Sequence, residues 1–249
     1  MSELLEIALK AHGGLERWRE VKSIQVDASI TGAIWLVKGK PDVLNNVFIT
    51  AETPLERLTM DLRGQGKRTI FEPDHITIES DQGELIEENS DPRKSFEGQT
   101  LETPWNDVHV AYFSGEAMWS YLNIPFLYAQ PGFETQEVAP IQSGSETWRR
   151  LKVTFPDSVK SHTRTQFSCF GPDGLLRRHD YTVDILGGSQ GLNYAYDYAT
   201  CDGVVFPLTR KVVGYQGDYQ PIMDPVLVDI RMKNLSLTWS RTLQQPRSF

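Results

Sequence analysis

Cysteine is nearly absent: only Cys169 and Cys201 occur in 249 residues. Two isolated thiols, each in an apparent strand, make neither a zinc ligand set nor the framework of a disulfide-rich secreted domain. They read as reduced, structural residues, although neighbouring strands would bring such a pair within bridging range. Basic clusters are missing too. Lys and Arg stand singly or in pairs such as Arg149-Arg150 and Arg177-Arg178, and the net charge is −8. No surface able to neutralise a run of phosphates is expected, which excludes nucleic acid as a partner. No apolar run reaches the length of about 18 residues that a transmembrane helix needs. The opening Met1-Ser2-Glu3-Leu4-Leu5-Glu6 carries early acids where a secretory signal has a basic region and an apolar run. The chain as given is therefore expected in the cytoplasm.

Familiar catalytic signatures are also lacking. There is no Gly-x-Ser-x-Gly elbow, no phosphate-cradling glycine loop between strand and helix, no His-Glu-x-x-His and no Cys-x-x-Cys. Gly187-Gly188-Ser189-Gln190-Gly191 follows a strand but leads into another, so it reads as a hairpin loop. Neither nucleotide nor flavin is expected, and no cofactor is assigned.

What is present is a globular composition, 39% hydrophobic and 10% aromatic, sufficient for one substantial core. One domain across residues 1–249 is expected. Leu4, Leu5, Ala8, Leu9 and Ala11 recur at helical spacing and stop at His12-Gly13-Gly14, where glycine can turn left-handed. After a short turn at Leu15-Glu16-Arg17-Trp18, the residues Ile24, Val26, Ala28 and Ile30 alternate as a half-buried strand does. Further strands are expected over 47–51, 55–62, 68–71 and 75–79. A second series follows over 148–155, 163–170, 175–186, 192–200, 204–213 and 226–239. Turn chemistry at Pro73-Asp74, Asp81-Gln82-Gly83, Pro172-Asp173-Gly174 and Asp202-Gly203 separates them. Connections this short imply antiparallel neighbours, so the fold class is mainly β (α+β).

The strand pattern breaks between Pro104 and Tyr128. Val108, Tyr112, Trp119 and Leu122 share a face at helical period, and Asn106 or Asp107 can cap the start, which predicts an inserted helix over 106–122. Its aromatic density, continued by Ile124-Pro125-Phe126-Leu127-Tyr128, predicts an element packed on the sheet.

Three features together resemble a known architecture. They are the opening helix running through Ala11-His12-Gly13-Gly14-Leu15-Glu16-Arg17-Trp18 into Val21-Lys22-Ser23-Ile24, the long antiparallel meander, and the late hairpin Asp202-Gly203-Val204-Val205-Phe206-Pro207. They look like the LolA/LolB-type lipoprotein carriers and similar bacterial proteins. The resemblance implies a curved sheet, or incomplete β-barrel, with an inserted helix in its concave face and a lipid-like ligand in the concavity. It does not carry lipoprotein transport with it, because the carriers are exported and this sequence shows neither a signal peptide nor a lipid-modified cysteine.

Chemistry is sought first in the strand from Leu175 to Ile185. Alternation puts His179, Tyr181, Val183 and Ile185 on one face, and Arg178, Asp180, Thr182 and Asp184 on the other. His179 beside Tyr181 is a candidate general base or ligand-orienting group, or else a histidine that satisfies a buried carbonyl. The opposite face reads as a solvated charge ladder. Asp180 and Asp184 lack a histidine at a matching offset, so no metal site is assigned. On the inserted helix, His109 and Glu116 project to one side as a candidate acid/base pair, or as the exposed polar flank of an amphipathic helix. Tyr112, Trp119, Tyr121 and Phe126, with Tyr196 among the alternating tyrosines 194, 196 and 198, are candidates for a ligand-contacting wall or for plain core.

Two classes of function remain open. One is binding of a hydrophobic small molecule or lipid-like ligand. The other is a cofactor-independent enzyme (cyclase, isomerase or hydrolase) acting on a hydrophobic metabolite, with His179, Tyr181, His109 and Glu116 as its acid/base groups. Function turns on whether the segment 106–122 plugs the cavity or lids it, and the residue pattern fits both.

Overall fold

The alternation that begins at Val21 continues, with one interruption, through one large antiparallel sheet. The computed structural model describes residues 1–217 and 219–240. Helix α1 (Glu3–Ala11) is capped by Ser2, whose hydroxyl accepts from the Leu5 amide, and it buries Leu4, Leu5, Ala8 and Leu9. After α2 (Leu15–Trp18) comes strand β1 (Val21–Thr31), in which Ile24, Val26, Ala28 and Ile30 are all buried. A short helix, α3 (Ala33–Val37), leads to a meander of five strands: β2 (Val47–Glu52), β3 (Leu58–Leu62), β4 (Lys67–Glu72), β5 (His75–Ser80) and β6 (Leu85–Asn89). Helix α4 (Asp107–Asn123) interrupts the sheet, which resumes as β7 (Glu134–Ser143), β8 (Glu146–Thr154), β9 (Thr165–Phe170), β10 (Leu176–Val183), β11 (Ser189–Cys201), β12 (Val204–Gln216), β13 (Gln220–Ile222) and β14 (Val228–Trp239).

The strand order is β6-β5-β4-β3-β2-β1-β14-β12-β11-β10-β9-β8-β7, with β13 paired to β12. Every pairing is antiparallel, and the join between the two meanders is the long register of β1 on β14. The sheet is not closed: β6 and β7 are its two edges. The segment between those edges carries α4, so the chain crosses from one edge to the other through the concave side.

Four of the strands and helices went unpredicted, for identifiable reasons. Strand β6 is exposed almost throughout, and neither β7 nor the three-residue β13 has a buried residue, so none of them shows apolar alternation. Helix α3 is a single apolar turn, too short for a periodicity to register. Two strands are shorter than expected by three residues or more. The residues before Leu58 form a bend, and β10 ends at Val183, where Asp184–Leu186 make a 3-10 turn.

Helix α4 begins with a reciprocal cap: the Asn106 side chain accepts from the His109 amide at 2.9 Å, and His109 Nδ1 accepts from the Asn106 amide at 3.1 Å. Asp107 in its first turn pairs with Lys40 at 2.7 Å and with Lys67, where a carboxylate also complements the helix dipole. Every residue from Val108 to Asn123 is buried. The expected exposed polar flank therefore does not exist. One side of the helix packs on β3, β4 and β5 so tightly that a Cβ on Gly115 would lie 2.4 Å from the Phe71 Cβ. The opposite side meets β10 and β12 through Tyr121. A helix enclosed on both sides by one sheet requires that sheet to curve around it. The helix sits inside the concavity and occupies most of it; it is not a lid. Among the described residues, no helix is long and apolar enough to cross a membrane.

Candidate functional site

Helical period divides the aromatic residues of α4 between two tasks. Tyr112, Gly115 and Trp119 face the β3–β5 side, where Tyr112 packs edge-on to Phe71 and the Trp119 indole donates to the carbonyls of Glu52 and Leu55. Phe113, Ala117 and Tyr121 form the other stripe, and this stripe borders a cavity of about 240 Å³. The far wall comes from Ile30, Val212 and Ile230 on the sheet, with Trp35 of α3 at one side. The lining is overwhelmingly apolar. Exposed residues at its rim, Leu101 on one side and Ser189 and Gln190 on the other, mark the mouth.

Polar groups gather at and behind the wall formed by Tyr121 and Tyr181. The two hydroxyls are hydrogen-bonded to each other, and Tyr121 also reaches His162 Nε2 at 3.3 Å. His162 Nδ1 lies 3.8 Å from a Glu116 oxygen, and Arg93 lies 4.0 Å from that oxygen. Neither Glu116 oxygen has a hydrogen-bond partner, and the same holds for both ring nitrogens of His179 and both side-chain polar atoms of Asn193. Such a concentration of unpaired buried polar atoms is rare in a plain core. Burial governs protonation throughout. It pushes the Glu116 carboxyl up to about 8. It lowers His162 to about 3, with the Arg93 charge adding to the effect. His179 is held well below its ordinary value by burial and then by Arg210, and the Tyr121 phenol is raised to about 12 by burial. At neutral pH this cluster is an array of neutral groups between two cations, Arg93 at the Glu116 end and Arg210 at the other.

The residues proposed from sequence divide accordingly. His179 and Tyr181 are buried side by side, their rings 5.2 Å apart, with Tyr121 against both. Glu116 belongs to the same cluster. His109 does not: residues seven apart on a helix share a side but lie about 10 Å apart along the axis, and the His109 ring is occupied with the cap, Gln99 and Ser95. No His109–Glu116 pair forms, nor does His109 meet His179. Of the aromatic candidates, Tyr121 lines the cavity. Tyr112 and Trp119 pack on the opposite side of the helix, and Phe126 stacks on Trp18 at 4.2 Å. Tyr196 is on the other face of the sheet, 40% exposed and stacked on Tyr194.

The outer face of β10 also departs from expectation. Arg178 and Asp180 are buried and form a bidentate pair at 2.6 and 2.9 Å. The Arg150 guanidinium joins them, stacked between Phe167 and Tyr219 at 4.0 and 4.2 Å. The β12–β13 hairpin covers this face, so the ladder is not solvated. Asp184 is exposed and pairs with Arg93, well away from Asp180's partners. Among the described residues, no group of acids, histidines and cysteines could hold a metal ion. Both cysteines are free thiols.

Three members of the buried cluster, His162, Asn193 and Arg210, were missed, as was Arg93, which reaches Glu116 from a half-buried position at the edge. Asn193 and Arg210 carry a readable signal. Arg210 stands in the apolar frame Val204, Phe206, Leu208, Val212, and Asn193 between Gly191 and Ala195, so each is a polar residue in an inward position. Arg93 and His162 sit outside helix and strand, where no period predicts direction.

No family model matches the chain, and no curated protein matches it in sequence. Solved structures do. A DUF1329 family protein from Desulfovibrio piger superposes with a TM-score of 0.54 at 9% identity, over 94% of this chain and 91% of the other. A LolA superfamily protein from Nitrosomonas europaea gives 0.50 at 9% identity, over 96% and 93%. An outer membrane lipoprotein-sorting protein domain from Vibrio parahaemolyticus gives 0.53 at 7% identity, over 97% and 94%. At these identities the likeness is one of fold, and the chain has a LolA-like fold.

Proposed function

We propose that the protein binds a hydrophobic small molecule or lipid-like ligand in the cavity between α4 and the concave face of the sheet. The supporting observation is the cavity itself, about 240 Å³ with an almost wholly apolar lining and an open mouth. An apolar lining gives water in the cavity few hydrogen-bond partners, so a ligand that covers it with apolar surface gains free energy in proportion to the area taken out of water. One of the similar structures is named as a lipoprotein-sorting domain. The reading here keeps only an apolar moiety held against the concave face.

The test is native mass spectrometry of the full chain purified from its host, together with Nile red binding. An apolar mass released by organic solvent is expected from the native protein. Ala117→Trp, which projects an indole into the cavity, should retain the far-ultraviolet dichroism and lose both the mass and the dye. A native protein that carries no such mass and leaves Nile red unbound would sink the reading.

A second reading, proton transfer on a bound hydrophobic metabolite, is favoured by the Tyr121–Tyr181 hydroxyl pair in the cavity wall, backed by His162 and Glu116. A ligand recovered chemically unchanged after prolonged incubation with fresh protein counts against it. Conversion that Tyr181→Phe abolishes supports it.

A further inference from the structure

Arg210 is completely buried, and its guanidinium makes one hydrogen bond, from Nη2 to the Tyr121 carbonyl at 2.9 Å. Nε and Nη1 find no acceptor among the described residues. Among the described residues, it forms no ion pair. The titratable groups close enough to feel its charge are His12, Tyr121, Tyr128, His179, Tyr181 and Tyr198, none of them an anion at neutral pH. A guanidinium does not shed its proton in a protein, so this is a permanent buried cation without a counter-charge. Such a group is far more costly to a fold than a paired one.

Its neighbours lack partners in the same sense. The Asn193 amide stands close enough to both tyrosine hydroxyls to favour their ionisation, yet completes no hydrogen bond. His179, opposite Asn193 in the β10–β11 register, has both ring nitrogens unpaired. Arg210 itself lies directly beneath the cavity. Ile230, its partner across the β12–β14 register, lines the cavity, as does Val212, two residues along the same strand face. The Tyr121 ring, 5.0 Å from the guanidinium carbon and itself part of the cavity lining, stands between Arg210 and the cavity.

We propose that the natural ligand is an amphiphile with a carboxylate head, which seats on Arg210 and Asn193 beside the Tyr181 hydroxyl while its apolar chain occupies the cavity. This rests on the cavity being a ligand site. One buried cation matches one negative charge, and a carboxylate offers oxygens to several convergent donors at once. A phosphate monoester would bring more charge than a single cation neutralises. Entry of the head requires that the Tyr121 side chain yield and that the head take the room it vacates beside Arg210.

The experiment is calorimetric titration of the full chain with decanoate, decanol and decyl phosphate, repeated on Arg210→Met. Decanoate is expected to bind the native protein at least about tenfold more tightly than decanol, a difference of about 1.4 kcal/mol. In Arg210→Met that gap should close through loss of decanoate affinity. Equal affinities for decanoate and decanol in the native protein, a decanoate preference that survives Arg210→Met, or tighter binding of decyl phosphate would each overturn the head-group assignment and leave the cavity reading standing. Failure to bind any of the three overturns both. Should Arg210→Met not fold, the native comparison still decides, with Asn193→Leu expected to narrow the same gap.

Discussion

Glu116 shows how one side chain ties the buried cluster to stability. Its carboxyl is 1% exposed and has no hydrogen-bond partner, and burial lifts its pKa from 4.5 to about 8. Between those values the native state holds a proton that the unfolded chain has released. The unfolded state therefore binds fewer protons, and stability falls as pH rises through that window. Below about pH 4 both states are protonated and the penalty is gone; at pH 7 it amounts to about 3 kcal/mol. Glu116→Gln removes the titration and keeps the shape. It is expected to be more stable than the native protein at pH 7 by up to about 3 kcal/mol, with the difference disappearing near pH 4. Urea unfolding at both pH values checks this, and a pH-independent difference would show that Glu116 finds a charged partner in solution. Much of this cluster was within reach of the sequence. Period-two alternation assigned His179 and Tyr181 to the inner face, and the same rule applied to Val204 through Val212 would have found Arg210. What it could not supply was His162, because a residue in an irregular loop inherits no direction from its neighbours.

At the scale of elements, α4 was legible in extent but not in orientation. The Asn106 cap and apolar content fixed its span to within a residue. Its hydrophobicity, however, runs all round, so no moment distinguishes the face on Phe71 from the face on the cavity. The discriminating residue is Gly115. Within a helix, glycine costs about 1 kcal/mol relative to alanine, so Gly115→Ala would stabilise an unpacked helix. Here the added methyl would stand 2.4 and 2.6 Å from Phe71 Cβ and Cγ, and a displacement of helix from sheet is required. The substitution is expected to destabilise by about 1–3 kcal/mol despite the propensity gain. Asn106→Ala, which removes half of the reciprocal cap, should cost about 1 kcal/mol without moving the helix. Chemical denaturation separates them: the Gly115 variant should also lose ligand affinity, because the helix it displaces carries the cavity wall, whereas the Asn106 variant should not. Edge strands explain the remaining gap. The exposed residues of β6 and β7 satisfy no burial pattern, and only pairing to β5 and β8 makes them strands.

The whole molecule follows from where α4 sits in the chain. It joins the two edges of an unclosed sheet, so it can occupy the concavity without any strand being broken to admit it. It is narrower than the space the curved sheet encloses. Packed hard against β3, β4 and β5, it leaves the residual volume on the side of β10, β12 and β14, and the cavity is the consequence of that asymmetry. A ligand placed there bridges α4 to the half of the sheet it touches least, which makes a distinct prediction for hydrogen exchange. Saturation with a bound apolar ligand at about 100 times its Kd adds about 2.7 kcal/mol to global stability by linkage. The extra protection should concentrate in α4, β10, β12 and β14, while β5 and β6, on the far side of the helix and at the edge, should exchange much as before. Mass-spectrometric hydrogen exchange with and without decanoate measures this directly. Protection spread evenly over both halves, or confined to β3–β5, would mean that the ligand enters on the other side of the helix and that the tight contact of Gly115 on Phe71 is the part that opens.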